Sequence, residues 1–258
     1  MITLFSGGTG TPKLLQGMKE LIPQSELSIV VNTGEDVEVS GLKVSPDVDT
    51  VVYTLAEIID DENWYGIKDE SYSLHKMLNR LGHDEILKIG DKDRAVQLYR
   101  TMKMNDGASL SQVTNEICGR LGIEANVLPM TNDSVSSEIV TKDEQISFQE
   151  FWVARGGEVE VEEVVFVGSE DAEPAPGVIE TLEESDHIII GPSNPITSLG
   201  PILSIDEIKS AIRDCRDKVI DTSPILAGEP VSGPAAVLMN GLGYKVSPYS
   251  VAEMFKDL

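Results

Sequence analysis

Apolar positions recur along this chain with two periods that replace one another several times. Residues 2 to 5, ITLF, form a short apolar run closed by Ser6 and Gly7, and Leu14, Leu15, Met18, Leu21 and Ile22 then recur at helical spacing. That order predicts strand, glycine loop, helix. A second run, LSIVV at 27 to 31, follows at the distance of a βαβ unit, whose strands lie parallel with a right-handed crossover. After NTGED, the stretch SPDVDTVVYTLAEIID predicts a helix with Ser45 as N-cap, Pro46 at the first helical position, and a stripe of Val48, Val51, Val52, Leu55 and Ile59.

The stretch from about 65 to 122 reads as helical, broken at Gly90-Asp91 and at Asn105-Asp106-Gly107, and without internal repeat it suggests a helical insertion. From 125 to 168 the period shortens. NVLPM, SSEIVT, ISFQEFWV and EEVVFV are rich in β-branched and aromatic residues and predict strands, some of them antiparallel. SEDAEPAPG at 169 to 177 is the most linker-like segment, or else a loop into a helix over GVIETLEES. A strand at 187 to 190, a helix near 205 to 214, a strand within KVIDTSPI and a helix after SGPAAVLMNGLG then restore the βα rhythm. The expected fold is α/β, a Rossmann-like doubly wound and mostly parallel sheet with a helical insertion and a few antiparallel strands, in a single domain over 1–258. Loops leaving the carboxyl ends of such strands are where ligands bind.

Charge narrows the partners. Asp and Glu number 44 against 20 Lys and Arg, a formal charge of −24, which repels nucleic acid and anionic membranes. The excess reads as a solvated surface, so any anionic ligand must be gathered locally. Cys118 and Cys215 are far apart and suggest two buried free thiols rather than a disulfide or a metal cluster. The first residues enter a strand directly and no apolar run approaches membrane-span length, so a cytoplasmic protein is expected.

The glycine loop is the first candidate site. Gly7, Gly8, Thr9 and Gly10 between strand and helix let backbone approach a ligand closely and aim helix N–H groups at an anion, although a tight βα turn alone would use similar residues. Lys13 lacks the flanking residues of a Walker loop and occupies the place of a third Rossmann glycine. On the first helical turn a cation opposes the dipole by ~0.3–1 kcal/mol, a conflict that a bound anion would remove. Asp47 reads as a carboxylate favoured by its helix start, whereas Asp49 could also orient a hydroxyl or hold Mg²⁺. Asn32, Glu35 and Asp36 follow the second strand, where dinucleotide folds place a ribose-binding acid. KIGDKDRA concentrates Lys88, Lys92 and Arg94, either a solvated face or a source of charge neutralisation. Ser193, Asn194 and Pro195 in GPSNPITS form a rigid polar turn suited to a base or phosphate. His75, His83 and His187 have no partners at ligand spacing, and neither G-x-S-x-G nor H-E-x-x-H occurs.

FSGGTGTPKLL, SPDVDT, KIGDKDRA, NDGASLS, VLPMTNDSV, FQEFWV, GPSNPITS and SPILAGEPVSGPA, in this order, resemble the CofD family, the 2-phospho-L-lactate transferases of coenzyme F-420 biosynthesis. The resemblance implies transfer of phospholactate, or a related phospho-three-carbon acid, from a guanosine-diphosphate-linked donor to the deazaflavin Fo, giving F-420-0 and GMP with Mg²⁺. It implies that Asp49 and Lys88 contact Fo, with Asp49 the catalytic and metal-binding candidate. Gly7, Gly8, Thr9, Gly10 and Lys13 would face the diphosphate or the deazaflavin tail, and Ser193, Asn194 and Pro195 the guanosine nucleotide. A homodimer is compatible with the pattern. Family members continue past VAEMF with another strand and helix, whereas this sequence stops at Leu258. Two other readings share the glycine loop: a CofD-like nucleotide-sugar-binding regulatory protein, which SPDVDT disfavours, and a dehydrogenase, which the altered third glycine disfavours.

Overall fold

Alternation within the first strand sets the architecture. In the computed structural model, which describes residues 1–258, β1 (Ile2–Ser6) leads through the glycine loop to α1 (Gly10–Met18) and then to β2 (Leu27–Val31). Leu4, Ile29 and Val31 join an apolar cluster on one face of the sheet, while Phe5 and Val30 join another on the opposite face. Successive side chains of a strand point to opposite faces, so strands apolar at every position must be covered on both.

A small antiparallel hairpin, β3 (Val37–Val39) and β4 (Leu42–Val44), precedes α2 (Pro46–Leu55). Three helices follow, α3 (Ser73–Arg80), α4 (Asp91–Asn105) and α5 (Leu110–Arg120). β5 (Asn126–Pro129) pairs parallel with β2. β6 (Ser136–Val140), β7 (Gln145–Ser147) and β8 (Glu163–Val167) then form a separate antiparallel sheet, ordered β7-β6-β8. Through α6 (Val178–Glu184), β9 (His187–Ile190), α7 (Leu199–Ser204), α8 (Asp206–Asp214) and β10 (Val219–Asp221) the chain returns to the parallel sheet. Its order is β10-β9-β1-β2-β5. A short hairpin, β11 (Ile225–Leu226) and β12 (Glu229–Pro230), leads to α9 (Ala235–Gly241) and α10 (Pro248–Phe255). Ile139, Phe151, Leu238 and Val251 fill a third core under the antiparallel strands. No helix is long and apolar enough to cross a membrane.

Several local expectations shift. The first helix stops at Met18 and leaves Leu21 exposed, and α2 stops before Ile59. Ser45 holds the N-cap position of α2, but its hydroxyl donates to Asp36 Oδ2 at 2.7 Å instead of accepting from the helix. FQEFWV is not a strand: residues Glu150–Ala154 make a π-helical turn, because Phe148 and Phe151 both turn into the third core. The span taken as an insertion divides in two, since Val113, Ile117 and Cys118 of α5 lie in the main core as part of the crossover into β5, while α3 buries no residue. SEDAEPAPG is packed rather than linking, with Ala172 and Ala175 buried. Both cysteines are free, Cys118 buried with its thiol pushed up to about 12 by desolvation, and Cys215 half-buried.

A buried polar layer fastens α4 to α2. Arg100, 1% exposed, grips Asp49 with both terminal nitrogens, Nη1 lying 3.0 Å from Oδ2. Beside it the Tyr53 hydroxyl donates to Asp93 Oδ1 at 2.8 Å. Burial, followed by repulsion from Asp49, raises Asp93 to about 7. Removing one partner of a buried pair strands the other charge at ~3–5 kcal/mol. Arg100→Met is therefore expected to lower the unfolding free energy by about that amount in chemical denaturation, and an unchanged midpoint would contradict it. The raised Asp93 carries a second expectation. Between its unfolded value near 4 and about 7 the folded state binds the extra proton, so stability is greatest below the unfolded value and falls as pH rises through 7. Thermal melts from pH 5 to 8.5 should show a shallower decline in Asp93→Asn than in the wild type.

Candidate active site

The order β10-β9-β1-β2-β5 contains one reversal. The chain builds outward from β1 through β2 to β5, then returns to β9 and β10 on the other side of β1. Loops after β1 and β9 therefore diverge at the carboxyl edge, and in open α/β sheets that crevice receives the ligand. Here it is a cleft of about 300 Å³, whose lining includes Gly8, Thr9, Gly10, Asp47, Ser193 and Thr197.

Ser193 joins the two loops. Its hydroxyl accepts from Gly7 N–H at 2.9 Å and Thr11 N–H at 3.3 Å, and lies 2.8 Å from Thr11 Oγ1. Approach is close enough that a Cβ on Gly10 would meet the Pro192 carbonyl and one on Gly8 the Asp47 carboxylate. Asn194 closes its own turn, accepting from Ile196 N–H at 3.0 Å through Oδ1 and donating to Thr197 Oγ1 at 3.0 Å. Ser193 and Asn194 thus line the cleft while their side chains serve the loop. Pro195 lies outside that lining and borders an apolar groove with Val164, Phe166 and Leu203.

The acid that faces the glycine loop is Asp47. Asn32 donates Nδ2 to Asp47 Oδ2 at 2.9 Å and to the Thr197 carbonyl at 3.3 Å, and accepts from Gly34 N–H at 2.8 Å. Asp47 is thereby fixed by one oxygen while Oδ1 lies toward Gly8. Burial pushes it up to about 7. Burial, then repulsion from Asp47, raises Glu35 well above the carboxylate range as well. Asp36 rises to about 8 by burial, against the hydrogen bond from Ser45.

Asp49, the catalytic and metal candidate from sequence, does not line the cleft, because Arg100 occupies its carboxylate. Helical residues two apart point about 200° from each other, so Asp47 and Asp49 cannot share a face. Arg94 and Lys92 are not free for charge neutralisation either. Arg94 holds Glu85 bidentately at 3.0 and 2.8 Å, and Lys92 Nζ donates to the Lys68 and Asp69 carbonyls at 2.8 Å each. Lys88 sits over the Tyr72 ring at 4.1 Å and Lys13 over Trp64 at 5.3 Å. No Lys or Arg lines the cleft; its only charged residues are Glu35 and Asp47.

That donor set bears on Mg²⁺. No group of three or more His, Cys, Asp or Glu side chains is placed to hold a metal. Two neighbouring carboxylates with no cation beside them do match the way Mg²⁺ binds, through one or two acids plus substrate phosphates. Sequence reasoning had treated Asp47 as a helix-start acid and passed over Trp64, Tyr65, Phe148, Gln149 and Trp152, all of which line the cleft. FQEFWV signalled three of these residues, but a strand assignment gave them no shared direction.

Comparison with known proteins bears on the family and the fold. Residues 2–255 match the family described as 2-phospho-L-lactate transferase CofD. The chain is 50% identical to the 2-phospho-L-lactate transferase of Methanopyrus kandleri, covering 99% of this chain and 82% of that protein. It is 48% identical to the one from Methanocaldococcus jannaschii, covering 100% and 84%. Among solved structures, a UPF0052-family protein from Bacillus halodurans superimposes with a TM-score of 0.58 at 22% identity, covering 82% of this chain and 64% of that one, a likeness of fold. The chain belongs to the CofD family of 2-phospho-L-lactate transferases.

Proposed function

We propose that the protein transfers phospholactate from a guanosine-diphosphate-linked donor to the ribityl hydroxyl of Fo. The hydroxyl oxygen forms a bond to the phosphorus that carries lactate, the P–O–P bridge breaks, and GMP leaves; the Glu35–Asp47 pair supplies the carboxylates of the cleft that could accept the hydroxyl proton. One observation carries this reading above all: a glycine loop and the Ser193 loop converge on two acids with no basic side chain between them. Backbone N–H groups at the start of α1 suit the diphosphate.

Glu35 and Asp47 would hold Mg²⁺, which when bound supplies the positive charge that this cleft lacks. Asn32 keeps Asp47 in place through the 2.9 Å hydrogen bond, so it is a positioning residue. Asp49 and Arg100 sustain the helix that carries Asp47, and Lys88 remains a candidate for the outer edge of the acceptor site beside Leu87, which lines the cleft.

Purified protein incubated with Fo, lactyl-diphosphoguanosine and Mg²⁺ is expected to yield F-420-0 and GMP by mass spectrometry. Asp47→Asn should lower the rate by about 100-fold or more, the usual scale for loss of an acid–base group, while the melting temperature changes little. An Asp47→Asn enzyme as fast as the wild type would remove the acid pair from the mechanism. Chelation by EDTA should abolish turnover and added Mg²⁺ restore it; turnover that persists in EDTA would exclude the metal role.

A further inference from the structure

Two of the three histidines, which have no partners at ligand spacing along the chain, meet around one carboxylate. Glu85 stands in an outer loop whose Gly82, His83, Asp84 and Ile86 are exposed, yet its own side chain is 0% exposed. It accepts from Arg94 Nη1 and Nη2 at 3.0 and 2.8 Å, from His75 Nδ1 at 2.9 Å and from the Ser40 hydroxyl at 2.6 Å. An ionised carboxylate only accepts, so Nδ1 of His75 carries a proton. The Ser40 proton goes to Glu85, so in the 2.9 Å contact between Ser40 Oγ and His83 Nε2 the imidazole donates. Burial alone would raise the Glu85 carboxyl, but the hydrogen bonds from Arg94, Ser40 and His75 outweigh it and hold it at about 2. The carboxylate therefore stays charged throughout the neutral range.

The donors come from three separate elements. Ser40 lies in the turn between β3 and β4, with a left-handed φ of +52° that a serine keeps where its surroundings over-determine it. His75 is on α3, which buries no residue, and Arg94 is on α4. Just beyond Glu85, Leu87 and Ile89 pack with Val39 and Val44 of the hairpin in a core of 4 buried residues, apart from the larger clusters. Lys88, between them, lies over the ring of Tyr72, the residue before α3. Leu87 also lines the cleft. A core that small is held by non-directional burial, whereas a buried carboxylate with charge-assisted hydrogen bonds fixes distance and angle. The hairpin, α3 and the segment carrying Leu87 thus form one rim of the cleft, and Glu85 sets their register.

We propose that Glu85 is a positioning residue for the acceptor: by gathering Ser40, His75 and Arg94 it holds the rim that presents Leu87 to the cleft, with Lys88 beside it. This rests on the transferase reading for the identity of the acceptor. Glu85 does not line the cleft, so it acts through the rim and not on the reacting atoms. Its loss therefore weakens acceptor binding and leaves the transfer step and the donor as they were. The two histidines serve here as hydrogen-bond donors, each to one oxygen of the cluster.

Steady-state kinetics with Fo and lactyl-diphosphoguanosine varied in turn test this in wild type, Glu85→Gln, Ser40→Ala, His75→Ala and His75→Asn. Glu85→Gln should raise KM for Fo about 10-fold while kcat and the donor KM stay within about twofold, the pattern of lost binding rather than lost chemistry. Ser40→Ala and His75→Ala should raise it about threefold, and His75→Asn, whose amide reaches the place of Nδ1, should restore the wild-type value. The Ser40 and His75 variants leave the Arg94 pair intact, so they carry the test if Glu85→Gln does not fold. An Fo KM that stays at the wild-type value in every folded variant overturns the assignment. So does a fall in kcat together with a rise in both KM values, because that reports a general loosening of the fold. Equilibrium dialysis of Fo separates this proposal from the transferase reading. Normal turnover with unchanged Fo affinity in the variants rejects the rim and keeps the transferase. Fo affinity that weakens in the variants of a protein forming no product does the reverse.

Discussion

The hydroxyl of Ser193 is the joint on which the rest of the site depends. It closes 2.9 Å on Gly7 N–H and 2.8 Å on the Thr11 hydroxyl, binding the loop after β9 to the loop after β1 at the reversal in strand order. Neither loop could make this contact with larger residues, because a Cβ on Gly10 would occupy the position of the Pro192 carbonyl. The glycines therefore serve two ends at once. They let the loops lock together, and they leave backbone amides, rather than side chains, on the surface that meets the ligand.

On the proposed reading, that arrangement is how a protein with a formal charge of −24 would take anionic substrates. Its cleft offers no lysine or arginine; the cations that sequence placed nearby are bound elsewhere, Arg94 to Glu85 and Lys92 to backbone carbonyls. On the proposed reading, N–H groups and a cation held by Glu35 and Asp47 would stand in for fixed positive charge. The raised proton affinities of both acids start from desolvation, to which repulsion from Asp47 adds at Glu35.

Much of the fold could be read from periodicity because its central strands are apolar on both faces and its helices carry apolar stripes. β1, β2, β9 and the helix opening with Pro46 follow directly from such runs. The antiparallel region was harder, because β-branched and aromatic content alone cannot distinguish a strand from the π-helical turn that Phe148 and Phe151 impose through a distant core. The site was legible as loops but not as directions. Ser193 and Asn194 were recognisable as a polar turn, yet nothing local reveals that their side chains are spent on the turn and on Gly7.

The two aspartates of SPDVDT show why direction escapes a linear reading. Asp47 and Asp49 have the same chemistry, the same helix start and nearly the same burial, and differ by two residues. In a helix that separation turns them to opposite sides, so one must meet the sheet edge and the other the packed helix α4. What decides between them is Arg100, fifty-one residues downstream of Asp49, whose guanidinium fills the side that α4 covers. The same rotation leaves Asp47 to Asn32 and the glycine loop. A structural ion pair and a cleft-facing acid thus arise from one short motif, and the buried pair holds the helix that carries the cleft-facing acid.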